Sequence, residues 1–325
     1  MAIKYLSING VPLSLGGQIV SKTSVNQNGW LGVTTPIISY NMSFIDINHG
    51  YIADSNANFY YTSDGGSSWS IRNKPTPVSN CSQIYFINQN VGFWSNTPYN
   101  YLPRTIDGGN TWQLGGFIGY QSDIFFINNT GWVAQGNHDY MAYTSDSGDT
   151  WSYTQIDTGS TKSAIHFSDI NNGCIAGYKG NNGIIWRTTN GASTWNNSFT
   201  LTGTSFKFKD VFCVNSTTIY SIGYSVTEGS IFAYTTNGGT SWNTKSIPGL
   251  TDTIGMWFTD VNTGWVCDTI NVTKTTDGGV SWTTQVADAG SKSYHGIQMI
   301  DSQNGYLNGS ASLYKTTTGG DSVNT

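Results

Sequence analysis

Charge is scarce in this sequence: Asp, Glu, Lys and Arg make up only 10% of its 325 residues. It holds three arginines (Arg72, Arg104 and Arg187) and one glutamate, Glu228. So few arginines leave no basic stripe to neutralise phosphates, which excludes nucleic acid as a partner. The net charge of -5 gives no reason to expect an anionic membrane surface. No run approaches the roughly 20 apolar residues of a membrane span, so no membrane insertion is expected. The opening stretch, MAIKYLSINGVPLSLGGQIV, lacks the basic segment and unbroken apolar stretch of a secretory signal. Cys81, Cys174, Cys213 and Cys267 are dispersed, with no CxxC pair and no zinc spacing. They read as small buried hydrophobes, with disulfides left open. His49, His138, His166 and His295 show no ligand spacing either, so neither metal nor cofactor is expected.

What the chain does have is tryptophan at a nearly fixed interval. Trp30, Trp69, Trp112, Trp151, Trp195, Trp242 and Trp282 are separated by 39, 43, 39, 44, 47 and 40 residues. Six of them end a polar turn: TSDGGSSW, TIDGGNTW, TSDSGDTW, TTNGASTW, TTNGGTSW and TTDGGVSW. A period of this size, with β-branched and aromatic residues between the turns, indicates a repeat fold of one small sheet per unit. The hydrophobic share of 37%, with 14% aromatic, suffices to bury a core. No Pro-rich, Ser-rich or charged linker divides the chain, so one large domain is expected.

Each unit supplies four strands. The first is an apolar-aromatic run such as IYFINQNVG or MWFTDVNTG, and the second opens with an aromatic, as in Gly131-Trp132-Val133. The third precedes the polar turn, and the fourth begins at the tryptophan. The pattern predicts an all-β chain: one seven-bladed propeller with four-stranded antiparallel blades. The seventh unit ends with Val323 where a tryptophan should stand, while residues 23–30 align on the polar turn with no strands of that unit before them. Trp30 to about Thr35 should therefore close the last blade and remove exposed edges. The propeller then spans 23–325, and residues 1–22 form an extension, a possible docking segment.

The turn pattern Ser/Thr-x-Asp-x-Gly-x-Ser/Thr-Trp is the Asp box, and the chain resembles the Asp-box, or BNR-repeat, propellers over residues 23–323. These include sialidases, sortilin-type receptors, xyloglucanases and the photosystem II assembly-factor-like proteins. The last group is particularly similar, because its units also carry a Gly-Trp-Val second strand followed by Thr-Thr-Asp-Gly-Gly-x-x-Trp. Asp64, Asp107, Asp146, Asn190, Asn237 and Asp277 are suited to capping backbone N–H groups within their own turns, with Gly supplying positive φ. Asn at two of the six sites argues for turn capping over metal binding. In an up-and-down blade the boxes share a face with the turns after first strands. A ligand is then expected on the opposite face, formed by the connections after second and fourth strands.

The sialidase resemblance implies three substrate-holding arginines. Here Arg104 and Arg187 precede boxes and Arg72 follows one, so that triad is absent. Glycoside hydrolysis needs two facing carboxyl groups, and Asp123 and Asp210, near the starts of first strands, are the best-placed pair. The simpler reading makes them solvated loop residues or strand-end caps. From the second-strand glycine position to the box Thr the seven units count 12, 13, 13, 15, 16, 11 and 11 residues, so blades four and five raise a lip. Tyr178, Lys179, Asn181, Tyr224 and Glu228 fall on it. Neighbouring connections add Tyr99, Tyr101, His138, Asp139 and Tyr140, with Tyr120 and Tyr294 just before first strands. Tyrosines interleaved with Asn and Asp suit sugar or protein surfaces.

The expected function is a non-catalytic binding or structural propeller of a phage virion. Residues 1–22 would dock it to other particle proteins, and the loop face would meet a host glycan or surface protein. Low charge, a polar surface and the lack of a signal motivate this virion placement, with an extracellular one as alternative. Two other expectations stand beside it: a carbohydrate-active enzyme using loop-face aspartates, and a secreted assembly-factor-like protein.

Overall fold

A computed structural model describes residues 29–78, 80–95, 101–116, 118–136, 138–203, 205–287, 293–310 and 312–321, together with a short strand pair, Ser7–Ile8 with Val11–Pro12. The described residues contain no helix. Seven antiparallel sheets follow one another in a ring. Blade three is representative, running Gln121–Ile127, Thr130–Gln135, Tyr140–Thr144 and Ser152–Gln155 in sequential order. In blade two the outer strand is reduced to a bridge between Arg104 and Gln113. There Gly115 takes a φ of 56°, and a Cβ on it would stand 1.9 Å from the Leu102 carbonyl oxygen.

The ring closes where the sequence pattern places the closure. Trp30–Val33 pairs with Leu313–Thr316, Trp30 opposite Thr316 and Val33 opposite Leu313. The seventh sheet is thus completed by a strand from the far end of the chain, which protects an edge otherwise open to association. Residues 23–28 of the first turn, and most of the 1–22 extension, lie outside the described residues.

One contact recurs at the blade interfaces. The aromatic after the second-strand glycine stacks on the last ring of the next blade's first strand. Tyr51 meets Phe86 with centroids 3.6 Å apart, Trp132 meets Phe167 at 3.7 Å, and Tyr306 meets Phe44 at 3.4 Å across the closure. The tyrosines also hydrogen-bond the neighbouring blade: Tyr51, Tyr220 and Tyr306 donate to the carbonyls of Gln89, Val261 and Ile47 at 2.7–2.8 Å. Each such aromatic pair contributes about 0.5–1.5 kcal/mol beyond burial alone. The preceding glycine makes room for this packing: a Cβ on Gly50, Gly131 or Gly264 would lie 2.1–2.3 Å from the ring of Phe44, Phe126 or Phe258.

Blade five reverses both halves of this arrangement. Cys213 stands where the phenylalanine would be and Ile219 where the glycine would be, and the two are cross-strand partners. The small side chain makes space for the large one. Cys213 packs in one core cluster with Cys174 of blade four, and all four cysteines are free and buried, as a hydrophobic role requires.

The boxes repeat one hydrogen-bond set. In blade one, the Thr62 hydroxyl donates to Asp64 at 2.8 Å and accepts from Gly66 N at 2.8 Å, while Asp64 accepts from Ser68 N and Ser68 Oγ. At Asn190 and Asn237 the last bond runs backwards: the side-chain amide donates to Thr194 or Ser241 at 2.8–2.9 Å. Asn therefore satisfies the same turn without charge. The accepted bonds hold Asp64, Asp146 and Asp277 down at about 2. Every box also donates a backbone N–H to the first turn of its own blade, as Gly65 does to Asn48, so both lie on one face of the ring. Box tryptophans reach to the previous blade, where the indoles of Trp69 and Trp112 donate to Thr34 and Asn73 carbonyls.

Candidate functional site: loop face and channel mouth

The face opposite the boxes is irregular, and its irregularity is greatest over blades three to five. The lip on blades four and five consists of lengthened hairpins. Gly173–Lys179 pairs with Asn182–Thr188 out to Lys179 opposite Asn182, and Ile219–Ser225 pairs with Gly229–Thr235 out to Ser225 opposite Gly229. The extra residues of these units thus lengthen the ladders and carry Tyr178, Lys179, Asn181, Tyr224 and Glu228 outward. Asn181 accepts Phe206 N through its carbonyl at 3.0 Å, tying the blade-four hairpin to the connection into blade five.

Lys162 organises the junction of blades three and four. Wholly enclosed, it donates from Nζ to the carbonyls of His138 at 2.5 Å, Asp157 at 3.2 Å and Ser160 at 3.4 Å. Burial lowers it to about 8, against the pull of Asp139 and Asp157. Asp139 accepts Gly159 N at 2.9 Å, and Lys179 reaches Asp157 at 2.8 Å. His138, Asp139 and Tyr140 are thereby held beside Tyr178 and Lys179, and Lys207 places its ammonium 4.6 Å above the Tyr178 ring. Asp157, Lys162 and Lys207 are absent from the sequence-based set. Lys162 does leave one trace, a lysine near the start of a first strand that goes on to Ala164, Ile165 and Phe167.

The other expected residues scatter or fall away. Tyr101, Tyr120 and Tyr140 stand open, 41–45% exposed, with Tyr101 farther round the ring on blade two. Tyr224 is half-buried opposite Lys207, and Glu228 is exposed at the blade-five hairpin tip. Tyr99 lies outside the described residues. Tyr294 is a correction: only 1% exposed, it meets Tyr314 edge to face in the core, because its position on the first strand turns the ring between blades.

The loop face opens onto a central cavity of about 410 Å³ lined by the first strands of all seven blades. Asp123 accepts from Gln83 Nε2 and Ile124 N on one oxygen and from Ile165 N of the next blade on the other, at 2.8–2.9 Å. Asp210 accepts from Val211 N and from Met256 N of the next blade, both at 2.8 Å. Each carboxylate is thus an inter-blade cap on a first strand rather than a solvated loop group. Burial pushes Asp123 up to about 6, with its three donors opposing, and Asp210 up to about 7, with Asp123's charge adding to the rise. His166 is pushed down to about 3 by burial, and its Nδ1 accepts from Cys213 N at 3.2 Å.

The three arginines are all engaged away from this mouth. Arg104 pairs with Asp149 in the next blade's box, Arg187 donates to Gly238 and Ser216 carbonyls, and Arg72 covers the Tyr61 ring. No group of three or more metal-binding side chains occurs among the described residues, and no helix there is long and apolar enough to cross a membrane.

The family model described as Photosynthesis system II assembly factor YCF48 matches residues 75–211, which span blades two to four and the start of blade five. The solved structure of YCF48 bound to D1 peptide is similar over 90% of this chain and 97% of its own, at 18% identity and a TM-score of 0.71. YCF48 from Cyanidioschyzon merolae is similar over 89% and 98%, at 16% identity and 0.69. Virginiamycin B lyase from Staphylococcus aureus is similar over 88% and 97%, at 14% identity and 0.72. At these identities the structures establish the fold alone, and the lyase shows that this fold also hosts an enzyme. No curated protein matches. These matches correct the expected virion placement: the family model and two of these structures are of a photosystem II assembly factor, not a particle protein. They support neither a phage particle nor a glycan ligand. Low charge and abundant Asn and Gly reflect turns written seven times over, and say nothing about destination.

Proposed function

The chain being a BNR-type β-propeller near the YCF48-like factors, we propose that it is a non-catalytic assembly-factor-like protein that holds a polypeptide segment of its partner on the loop face. The observation carrying this reading is a coincidence of position. The stretch matching the assembly-factor family, 75–211, contains the surface pinned by Lys162, with Tyr140, Tyr178 and Lys179 upon it. Open tyrosines beside a paired lysine and aspartate offer flat apolar faces with hydrogen-bonding edges, the composition that serves protein interfaces.

Asp123 and Asp210 each cap backbone N–H groups of their own blade and the next, a positioning role that calls for no hydrolase chemistry. Co-purification from the native host tests the proposal. A variant carrying Tyr140→Ala and Lys179→Ala should fold normally and lose its polypeptide partner. Retention of that partner by the double variant would defeat the reading.

A further inference from the structure

The channel beneath the loop face is chemically one-sided. Its lining includes the carboxyl groups of Asp123 and Asp210 and no lysine or arginine. Two lining amides add oxygens that no donor meets: Oδ1 of Asn308, a residue only 2% exposed, and Oε1 of Gln83. Asn308 uses its Nδ2 on the Tyr40 carbonyl at 2.9 Å, which fixes the amide and leaves its oxygen unpaired. Two carboxyl groups sharing one cavity oppose each other's ionisation. A cation beside them would relieve that opposition.

The wall also carries an unbroken arc of rings. Phe125 to His166 measures 4.3 Å between centroids, His166 to Phe212 4.0 Å, and Phe212 to Trp257 5.7 Å. Ring faces attract organic cations and pack against their alkyl stems, but supply no lone pairs to a metal ion. The cavity is of a size that takes small ligands.

We propose that the channel mouth binds an organic cation, an ammonium or guanidinium on an aliphatic stem, presented either as a basic side chain of a polypeptide or as a free amine. The head group donates to the Asp123 and Asp210 carboxylates, while the stem lies along the rings. The titratable groups facing the carboxyls are His166, His295, Tyr40, Tyr85 and the buried Cys267 thiol. Burial lowers both histidines and raises Tyr85 to about 12, so none of these three adds charge near pH 8. Binding then follows ionisation of the two carboxyls.

Calorimetry on the full chain tests this with 1,5-diaminopentane, with lysine capped at both backbone ends, and with equally capped norleucine as the uncharged control. At least one amine should bind at pH 8, at least tenfold more tightly than at pH 5, and the control should not bind. Asp210→Asn should weaken binding at least tenfold, and Asn308→Asp, which adds a carboxyl to the wall, should tighten it. Preference for the diamine identifies a free amine as the source; preference for capped lysine identifies a side chain. Absence of binding by both amines, affinity unchanged between the two pH values, or indifference to both substitutions would overturn the proposal. The site is separable from the polypeptide reading, because amine binding should survive Tyr140→Ala with Lys179→Ala.

Discussion

The two faces of the ring are built by opposite rules. On the box face one turn is repeated with the same donors and acceptors at six sites, and even the Asn substitutions at 190 and 237 only reverse one bond. On the loop face the blades differ: hairpins vary in length from unit to unit, and the Lys162 junction occurs once among the described residues. Repetition around a ring serves the ring, since each copy solves the same closure problem. A surface that differs from blade to blade is free to fit something outside it. A motif that dominates the sequence therefore points away from the functional site.

The largest expected contrast sets the closure against the loop face. Trp30→Ala, at the latch, should cost roughly 3–5 kcal/mol in denaturant unfolding, as for large-to-small core changes. Tyr140→Ala should stay within about 0.5 kcal/mol, as exposed substitutions do. Equal costs at the two sites would break the comparison.

Blade five sharpens it next. Cys213→Phe alone forces a ring onto Ile219 and should destabilise by about 1–3 kcal/mol. Adding Ile219→Gly recreates the pairing of the other blades and should recover most of the loss. A double-mutant cycle with no coupling would show that the glycine is not there for the ring.

Within the box, Thr144→Val leaves Gly148 N without its buried acceptor and should cost on the order of 1–3 kcal/mol. Asp146→Asn should leave the thermal midpoint almost unmoved, because Asn already serves two boxes. A large loss for Asn would mean that the carboxylate charge itself matters there.

The smallest effect is a pH dependence of opposite sign in the two regions. Asp123 and Asp210, raised to about 6 and about 7, bind protons more tightly in the folded chain. Their share of stability is full below the ordinary carboxylate value near 4 and is lost as pH rises through 6 and 7. The box carboxylates, lowered to about 2, contribute above pH 4 and lose that share as pH falls towards 2. The melting midpoint should be higher at pH 5 than at pH 8, and Asp210→Asn should remove much of the difference.

The architecture was legible because period, turn chemistry and the missing seventh tryptophan are local signals. Trp30 could be assigned to the last blade by subtraction, and its pairing with Thr316 follows that assignment. The site was legible only in part. Loop lengths pointed to blades four and five, but Lys162 acts through three carbonyl groups that carry no sequence identity. The burial of Tyr294 depends on which side of a short strand faces the neighbouring blade, and strand-start position alone does not fix that. The carboxyl pair in the channel could be named, yet its capping of the next blade is a contact between units about 42–46 residues apart.

Site-specific photo-crosslinking in the native host tests the division of labour most directly. A photoreactive residue at Tyr140 on the loop face is compared with one at Val280, exposed on the box face. Polypeptide adducts from position 140 and none from position 280 are predicted. Adducts from position 280 alone would contradict the assignment of binding to the loop face.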